Sequence, residues 1–391
     1  MKTSGLGKLA PRCGGDQHGP VRWSLRIALG ASLVAGLLGA ARPARALGLP
    51  AVVSEKMEGT SVDPALQAAA ERILKSAGPH EGAIVASDPR TGRILAWASV
   101  GGRDFVREAF APSASLFKLV TASALLEGGK ANANTRECYD GGEHDVRPSD
   151  LEHRGAVCTS MGEALGHSVN LVFAKLAKKH LQPQDLRKYA RELGFSGDVP
   201  IDVGSSKSTI NIPDDPFGMA RASAGFWNGK LSPLGALFAV QTIANDGERI
   251  RLSLGHGGGR VSAGRAMSVA SARSLTRMLE ITTRRGTAAK AFRHADGTLA
   301  LPGISVAAKT GTLIGGKPSR MYSWFAGFAP SNKPEIALAV MLGNDLVWRA
   351  KANLVGRELL EAYFHTDSGK VAQHGAGKTR AKASAAPARS R

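Results

Sequence analysis

Strand-like segments stand at the two ends of the central region of this sequence, and a long helix-rich stretch lies between them. Gly82-Ala-Ile-Val-Ala-Ser-Asp88, the turn Pro89-Arg-Thr-Gly92 and Arg93-Ile-Leu-Ala-Trp-Ala-Ser99 read as a β-hairpin. Three further apolar runs, Ile304–Leu313, Tyr322–Phe328 and Glu335–Leu342, come only after about residue 300. Short runs of this kind cannot each bury their own faces, so they predict one sheet completed from both ends of the region. Helical spacing appears over Pro64–Ala77, from Ser115 to about Leu126 (stopped by Gly128-Gly129), over Met161–His180, Pro183–Leu193 and Pro233–Asn245, and over about Lys351–Phe364. The expected fold class is therefore α/β (α+β): a mainly antiparallel sheet flanked by helices, with an all-helical subdomain inserted.

Charge separates the ends from the body. The formal net charge is +19, of which residues 1–46 hold +6 and residues 368–391 another +6. The front reads as an export signal: Arg22 and Arg26 precede the uncharged apolar run Ile27–Ala41, and Ala44-Arg45-Ala46 is a small-x-small cleavage pattern. An uncleaved anchor is the alternative. The Ala/Lys/Arg-rich tail 368–391 lacks apolar periodicity and is expected to be disordered. Its options are a weak electrostatic tether to anionic membrane or wall polymer, or a solvated extension. The expected organisation is thus a signal over 1–46, a folded body over 47–367 and a basic tail over 368–391. With the excess charge at the ends, nucleic acid is not an expected partner.

Three short patterns carry chemistry. In Ser115-Leu-Phe-Lys118, residues three apart share a helix face. Such a serine becomes a nucleophile if the lysine, lowered in pKa by burial and nearby positive charge, takes its proton. Alone the pattern is weak, expected roughly once by chance in a chain rich in both residues. Its plain alternative is a helix cap beside a solvated lysine. In Ser168-Val-Asn170 the serine can relay protons and the amide can hold a substrate and the lysine, or both are simply a polar loop opening a helix. In Lys309-Thr-Gly-Thr312, alternation along a strand puts Lys309 and Gly311 on one face, with Thr310 and Thr312 on the other. A lysine there suits a carboxylate, the glycine lets a substrate approach the strand, and the Thr312 N–H suits an oxyanion. The alternative is an ordinary edge strand. Gly311-x4-Gly316-Lys317 mimics a phosphate loop, but Pro318 stands where a magnesium-binding hydroxyl belongs. The ten histidines form no zinc pattern, so neither a metal nor another cofactor is expected.

Taken together in this order, Ser-x-x-Lys, Ser-x-Asn and Lys-Thr-Gly-Thr resemble the transpeptidase domain of penicillin-binding proteins and their β-lactamase relatives. Further likeness lies in Gly82–Ser99, in Pro233-Leu…Ala244-Asn-Asp-Gly247, in Gly286-Thr-Ala288 and in Trp324-Phe-Ala-Gly-Phe-Ala-Pro330, and it covers nearly all of 66–364. The resemblance implies Ser115 as the acylated nucleophile, Lys118 as its base, and Ser168 and Asn170 as proton shuttle and substrate holder. Lys309, Thr310, Gly311 and Thr312 would line the carboxylate side. The N–H groups of Ser115 and Thr312 would form an oxyanion hole.

The implied activity is D,D-transpeptidation of peptidoglycan stem peptides ending in D-Ala-D-Ala, in the periplasm or at the outer face of the cytoplasmic membrane. β-Lactams would inhibit, and a separate glycosyltransferase would be the partner. A D,D-carboxypeptidase or β-lactamase, with water as acceptor, and a non-catalytic wall-binding or β-lactam-sensing module are the alternatives. Two departures stand out: Ala308 replaces the glycine often found before the lysine, and Gly225-Phe-Trp-Asn-Gly229 is bulkier than the usual Gly-x-Gly. In an exported protein Cys138 and Cys158, 20 apart, favour a disulfide over two free thiols, while Cys13 would leave with the signal.

Overall fold

Strands from the two ends of the central region meet in one antiparallel sheet. In the computed structural model, β1 (Glu81–Ser87) and β2 (Ile94–Val100) form the hairpin. β3 (Ala307–Gly315), β4 (Arg320–Ala329) and β5 (Ile336–Asn344) supply the remainder. The strand order is β3-β4-β5-β1-β2, with β1 running against β5 from Glu81 opposite Gly343 to Ser87 opposite Ala337. The structure describes residues 59–365 except 142–144, 206, 227–228, 256–258, 317 and 347–349. The expected signal, Cys13 and the basic tail lie outside the described residues.

Both faces of the sheet are covered, which explains why its strands read as nearly continuous apolar runs rather than as polar–apolar alternation. One face packs Ile84, Ala86, Phe325, Leu338 and Val340 against two helices. These are α1 (Pro64–Ala77), through Leu66, Ala70 and Leu74, and the helix over 352–365, through Val355, Leu359 and Leu360. α1 starts where Asp63 accepts from the Ala65 and Leu66 N–H groups, and it ends at Gly78, which is left-handed at φ +59°. The opposite face packs Val85, Trp97, Phe328 and Met341 against the helical region.

That region holds α2 (Lys118–Glu127), α3 (Met161–Gly166), α4 (Asn170–His180), α5 (Pro216–Ala224), α6 (Pro233–Ala244) and α7 (Val269–Arg284). α2 runs through the middle of it, with every residue from Lys118 to Leu125 buried. Its internal hydroxyls are satisfied: Thr121 donates to the Ser223 carbonyl at 2.8 Å and Ser123 to the Leu119 carbonyl at 2.7 Å. A short ribbon, Arg136–Tyr139 against Val157–Ser160, carries Cys138 opposite Cys158, and the two are joined as a disulfide. Buried Lys175 of α4 ties this ribbon to the helix by donating to the Cys138 and His153 carbonyls.

Two expected elements take a different form. Residues 161–180 are two helices, broken at His167–Val169. The Val169 N–H returns to the Ala164 carbonyl at 2.8 Å and the Ser168 N–H to that of Leu165 at 3.2 Å, a Schellman ending, while the Gly166 carbonyl accepts from Thr287 N–H at 3.1 Å. Ser168 then takes a left-handed conformation, φ +61°. Ser115 likewise stands in a 3₁₀ turn, Ala114–Phe117, ahead of α2 rather than in the first turn of an α-helix.

Candidate active site

Ser115, Lys118, Ser168, Asn170 and Lys309 converge although three separate stretches of chain carry them. Lys118 Nζ lies 2.8 Å from Ser115 Oγ, 2.7 Å from Asn170 Oδ1 and 2.7 Å from the Ala224 carbonyl at the end of α5. Lys309 Nζ donates to Ser168 Oγ at 2.9 Å and to the Thr310 carbonyl at 2.7 Å. Each position follows from a local device. The one-turn spacing of Ser115 and Lys118 puts them on one side of the 3₁₀–α junction. The helix break at Gly166 turns Ser168 outward at the start of α4, where Asn170 is the first residue. β3, an edge strand, carries Lys309 to the same place.

Close backbone approach holds the nucleophile's turn. A Cβ on Gly225 would sit 2.1 Å from the Ala114 carbonyl oxygen, and Gly225 has φ +98°, so only glycine fits there. A Cβ on Gly311 would fall 3.3 Å from Ala114 Cβ and 3.4 Å from the Ser115 nitrogen. The space that Gly311 leaves over β3 is therefore occupied in part by the nucleophile's own turn, where the sequence had suggested a substrate.

Both lysines are fully buried. Burial pushes Lys118 well below the usual ammonium range, and the positive charge of nearby Lys309 adds to the effect. Burial alone lowers Lys309 to about 7. Three partners surround Lys118 Nζ, and the Asn170 and Ala224 oxygens can only accept. As an ammonium the group donates to all three. Once deprotonated it would keep its two N–H bonds for those two oxygens and turn its lone pair to Ser115 Oγ.

A cleft of about 360 Å³ opens beside Ser115, walled by Ser168, Asn170, Thr287, Thr310 and Thr312 and closed by Trp324 and residues 351–353. Gly311 also lines it. Thr287 and Thr310 share a hydrogen bond of 2.5 Å, and the Trp324 indole donates to the Pro112 carbonyl at 2.8 Å. A second cavity of about 670 Å³ adjoins the same serine, lined by Arg221, Phe226 and Ile314 among others. The motif reading did not place Thr287, the Ala224 carbonyl or residues 351–353 in the site. Only Thr287 carried a signal, in Gly286-Thr-Ala288. The disulfide Cys138–Cys158 stands away from the nucleophile, on the ribbon beside α4. Among the described residues no cluster of His, Cys, Asp or Glu could hold a metal ion, and no helix is long and apolar enough to cross a membrane.

Residues 82–361 match the family model of the penicillin binding protein transpeptidase domain. The chain is 27% identical over 361 residues to peptidoglycan D,D-transpeptidase PbpA of Mycobacterium tuberculosis H37Rv, covering 78% of this chain and 71% of that protein. It is 26% identical over 315 residues to the probable peptidoglycan D,D-transpeptidase PbpC of Pseudomonas aeruginosa PAO1, covering 72% of this chain and 53% of that one. Among solved structures, the transpeptidase domain of Burkholderia pseudomallei penicillin-binding protein 3 superposes with TM-score 0.67 at 21% identity, over 81% of this chain and 97% of that one. The imipenem acyl-enzyme complex of penicillin-binding protein A from M. tuberculosis gives 0.61 at 24% identity, over 78% and 79%. At these identities the superpositions establish a shared fold.

Proposed function

This chain belongs to the penicillin-binding protein transpeptidase family, and we propose that it is an exported serine D,D-transpeptidase working through an acyl-enzyme on Ser115. The observation that carries the reading is the place of buried Lys118, whose Nζ lies 2.8 Å from Ser115 Oγ and is held there by the Asn170 and Ala224 oxygens.

In this mechanism the terminal carboxylate of a D-Ala-D-Ala stem sits in the cleft by Thr310 and Thr312, drawn by protonated Lys309. Ser115 Oγ attacks the penultimate carbonyl while its proton passes to Lys118 Nζ, a transfer of the kind worth about 10²–10⁴ in rate. The N–H groups of Ser115 and Thr312 stabilise the oxyanion, each such donor contributing about 10²–10³. Collapse breaks the D-Ala–D-Ala amide. The departing nitrogen takes a proton relayed by Ser168, and D-alanine leaves. An amine of a neighbouring stem then attacks the Ser115 ester, gives up a proton through the same lysine and closes the cross-link. β-Lactams enter as substrates whose acyl-enzyme persists. The apolar run with its basic flank at 22–46 supports export.

The test is a stem peptide ending in D-Ala-D-Ala incubated with an amine acceptor. The wild type is expected to release D-alanine and form the amide-linked product, and Ser115→Ala to do neither. D-Alanine release with only water as acceptor would favour a carboxypeptidase instead.

A further inference from the structure

The two cavities beside Ser115 share Ser115, Asn170 and Thr312 and extend away from the serine with different linings. A peptide acylating Ser115 must place its leaving group in one and the retained acyl portion in the other. The hydroxyl-rich cleft by Thr310 and Thr312 suits the leaving D-alanine carboxylate. The larger cavity is then left for the retained stem.

The larger cavity combines an apolar lining with one charged pair. Phe226, Leu313 and Ile314 give it surface for methylene groups, with Ile314 55% exposed. Asp145 and Arg221 also line it, and Arg221 Nη2 donates to Asp145 Oδ1 at 2.9 Å. The guanidinium is held in place from several sides. It lies over the rings of Phe217 and Phe226, 5.8 and 5.6 Å from their centroids. The Phe226 N–H returns to the Arg221 carbonyl. Both rings pack on the core of Leu171, Ala174, Ala220 and Ala224. Arg221 also stands one turn before Ala224, whose carbonyl orients Lys118. Its Nε is buried and Nη2 is spent on Asp145, so Nη1 is the nitrogen left to meet a ligand. Asp145 remains 60% exposed. Such a pair offers a held guanidinium and a carboxylate side by side in a cavity that also touches the nucleophile.

We propose that this cavity is the donor-stem subsite and that Arg221 and Asp145 select a stem residue whose side chain ends in an amino-acid head. The carboxylate of that head binds Arg221 and its ammonium binds Asp145. A diamino dicarboxylic acid, as in meso-diaminopimelate, has this form; lysine offers the ammonium alone. This inference rests on the function proposed above and adds to it the class of donor.

The experiment compares three synthetic stem pentapeptides ending in D-Ala-D-Ala that differ only in the third residue: meso-diaminopimelate, its side-chain carboxamide, and lysine. D-Alanine release gives kcat/KM for each, and penicillin acylation is timed on the same preparations. The wild type is expected to favour the free carboxylate by about tenfold or more over the other two, since a site built to bond a polar group discriminates against analogues lacking it. Arg221→Gln is expected to lose that preference, its kcat/KM falling about tenfold further for the free-carboxylate stem than for the carboxamide and lysine stems. Equal rates for the three peptides in the wild type, or a preference that survives Arg221→Gln, would overturn the inference. If Arg221→Gln loses penicillin labelling as well, the wild-type comparison of carboxylate with carboxamide decides alone. Failure of penicillin and of every stem to acylate wild-type Ser115 would instead sink the proposed function.

Discussion

Replacing Lys309 by methionine separates what this residue does for catalysis from what it costs the fold. Lys309 is fully buried, and burial lowers it from 10.5 to about 7. A lysine lowered in the folded state holds fewer protons there than in the unfolded chain between pH 7 and 10.5, so its contribution makes stability rise with pH across that window. The penalty is complete below pH 7. At about 1.36 kcal/mol per pH unit, it amounts to about 5 kcal/mol at pH 6 and about 2 kcal/mol at pH 9. Lys309→Met removes it but leaves Ser168 Oγ and the Thr310 carbonyl without their donor, at about 1–3 kcal/mol each. That loss is the same at both pH values and cancels from the comparison. The stability of the variant relative to wild type should therefore fall by about 3 kcal/mol between pH 6 and pH 9, or about 6 °C in Tm for a body of this size. Thermal melts of both proteins at the two pH values measure it, with penicillin labelling expected to be lost in the variant. A difference independent of pH, or one that grows in the variant's favour at pH 9, would show that the folded protein holds Lys309 charged at no cost and would refute the reasoning.

Acylation by a carboxylate-bearing β-lactam should have an alkaline limb near pH 7 in its second-order rate constant, where free-enzyme Lys309 loses its proton. A carboxyl-free acylating thioester should lack that limb, and an identical limb for both would contradict the assigned role. Asn170→Ala removes one acceptor of Lys118 and should slow acylation by about tenfold to a hundredfold with little loss of fold, read by stopped-flow labelling. Gly225→Ala places a methyl 2.1 Å from the Ala114 carbonyl and should displace the Ser115 turn, cutting acylation by at least about tenfold. Exchanging Cys138 and Cys158 together for serine opens a 20-residue loop and should cost about 3 kcal/mol in a denaturant titration, with labelling at saturating penicillin preserved.

Much of this architecture was readable because the decisive signals are local. The hairpin shows in Pro89-Arg-Thr-Gly92 between two apolar runs, and the late strands show in uninterrupted Ile336–Leu342. α1 is legible from Pro64 after a capping Asp63 and from the Leu66, Ala70, Leu74 spacing. The break inside 161–180 was not, because the left-handed residue that closes it is Ser168, where a glycine would have marked the stop. α7 escaped for a different reason. Its apolar stripe, Ala272, Leu275, Met278 and Leu279, is thinned by Arg, Ser and Thr, yet those spacings are helical. At the site, Ser115, Lys118, Ser168, Asn170 and Lys309 could be named from their patterns. The Ala224 carbonyl could not, since a backbone acceptor leaves no mark on residue identity. The cavity at Arg221 was equally silent, because its members come from segments with no shared motif.

The central claim is that Ser115, paired to Lys118, is the residue that becomes acylated. Intact-protein mass spectrometry after brief exposure to penicillin, followed by peptide mapping, addresses it directly. The account predicts a mass increase of one penicillin per chain, placed on the peptide containing Ser115 and absent in a Ser115→Ala protein that melts like wild type. A label on any other residue, or an undiminished label in Ser115→Ala, would contradict it.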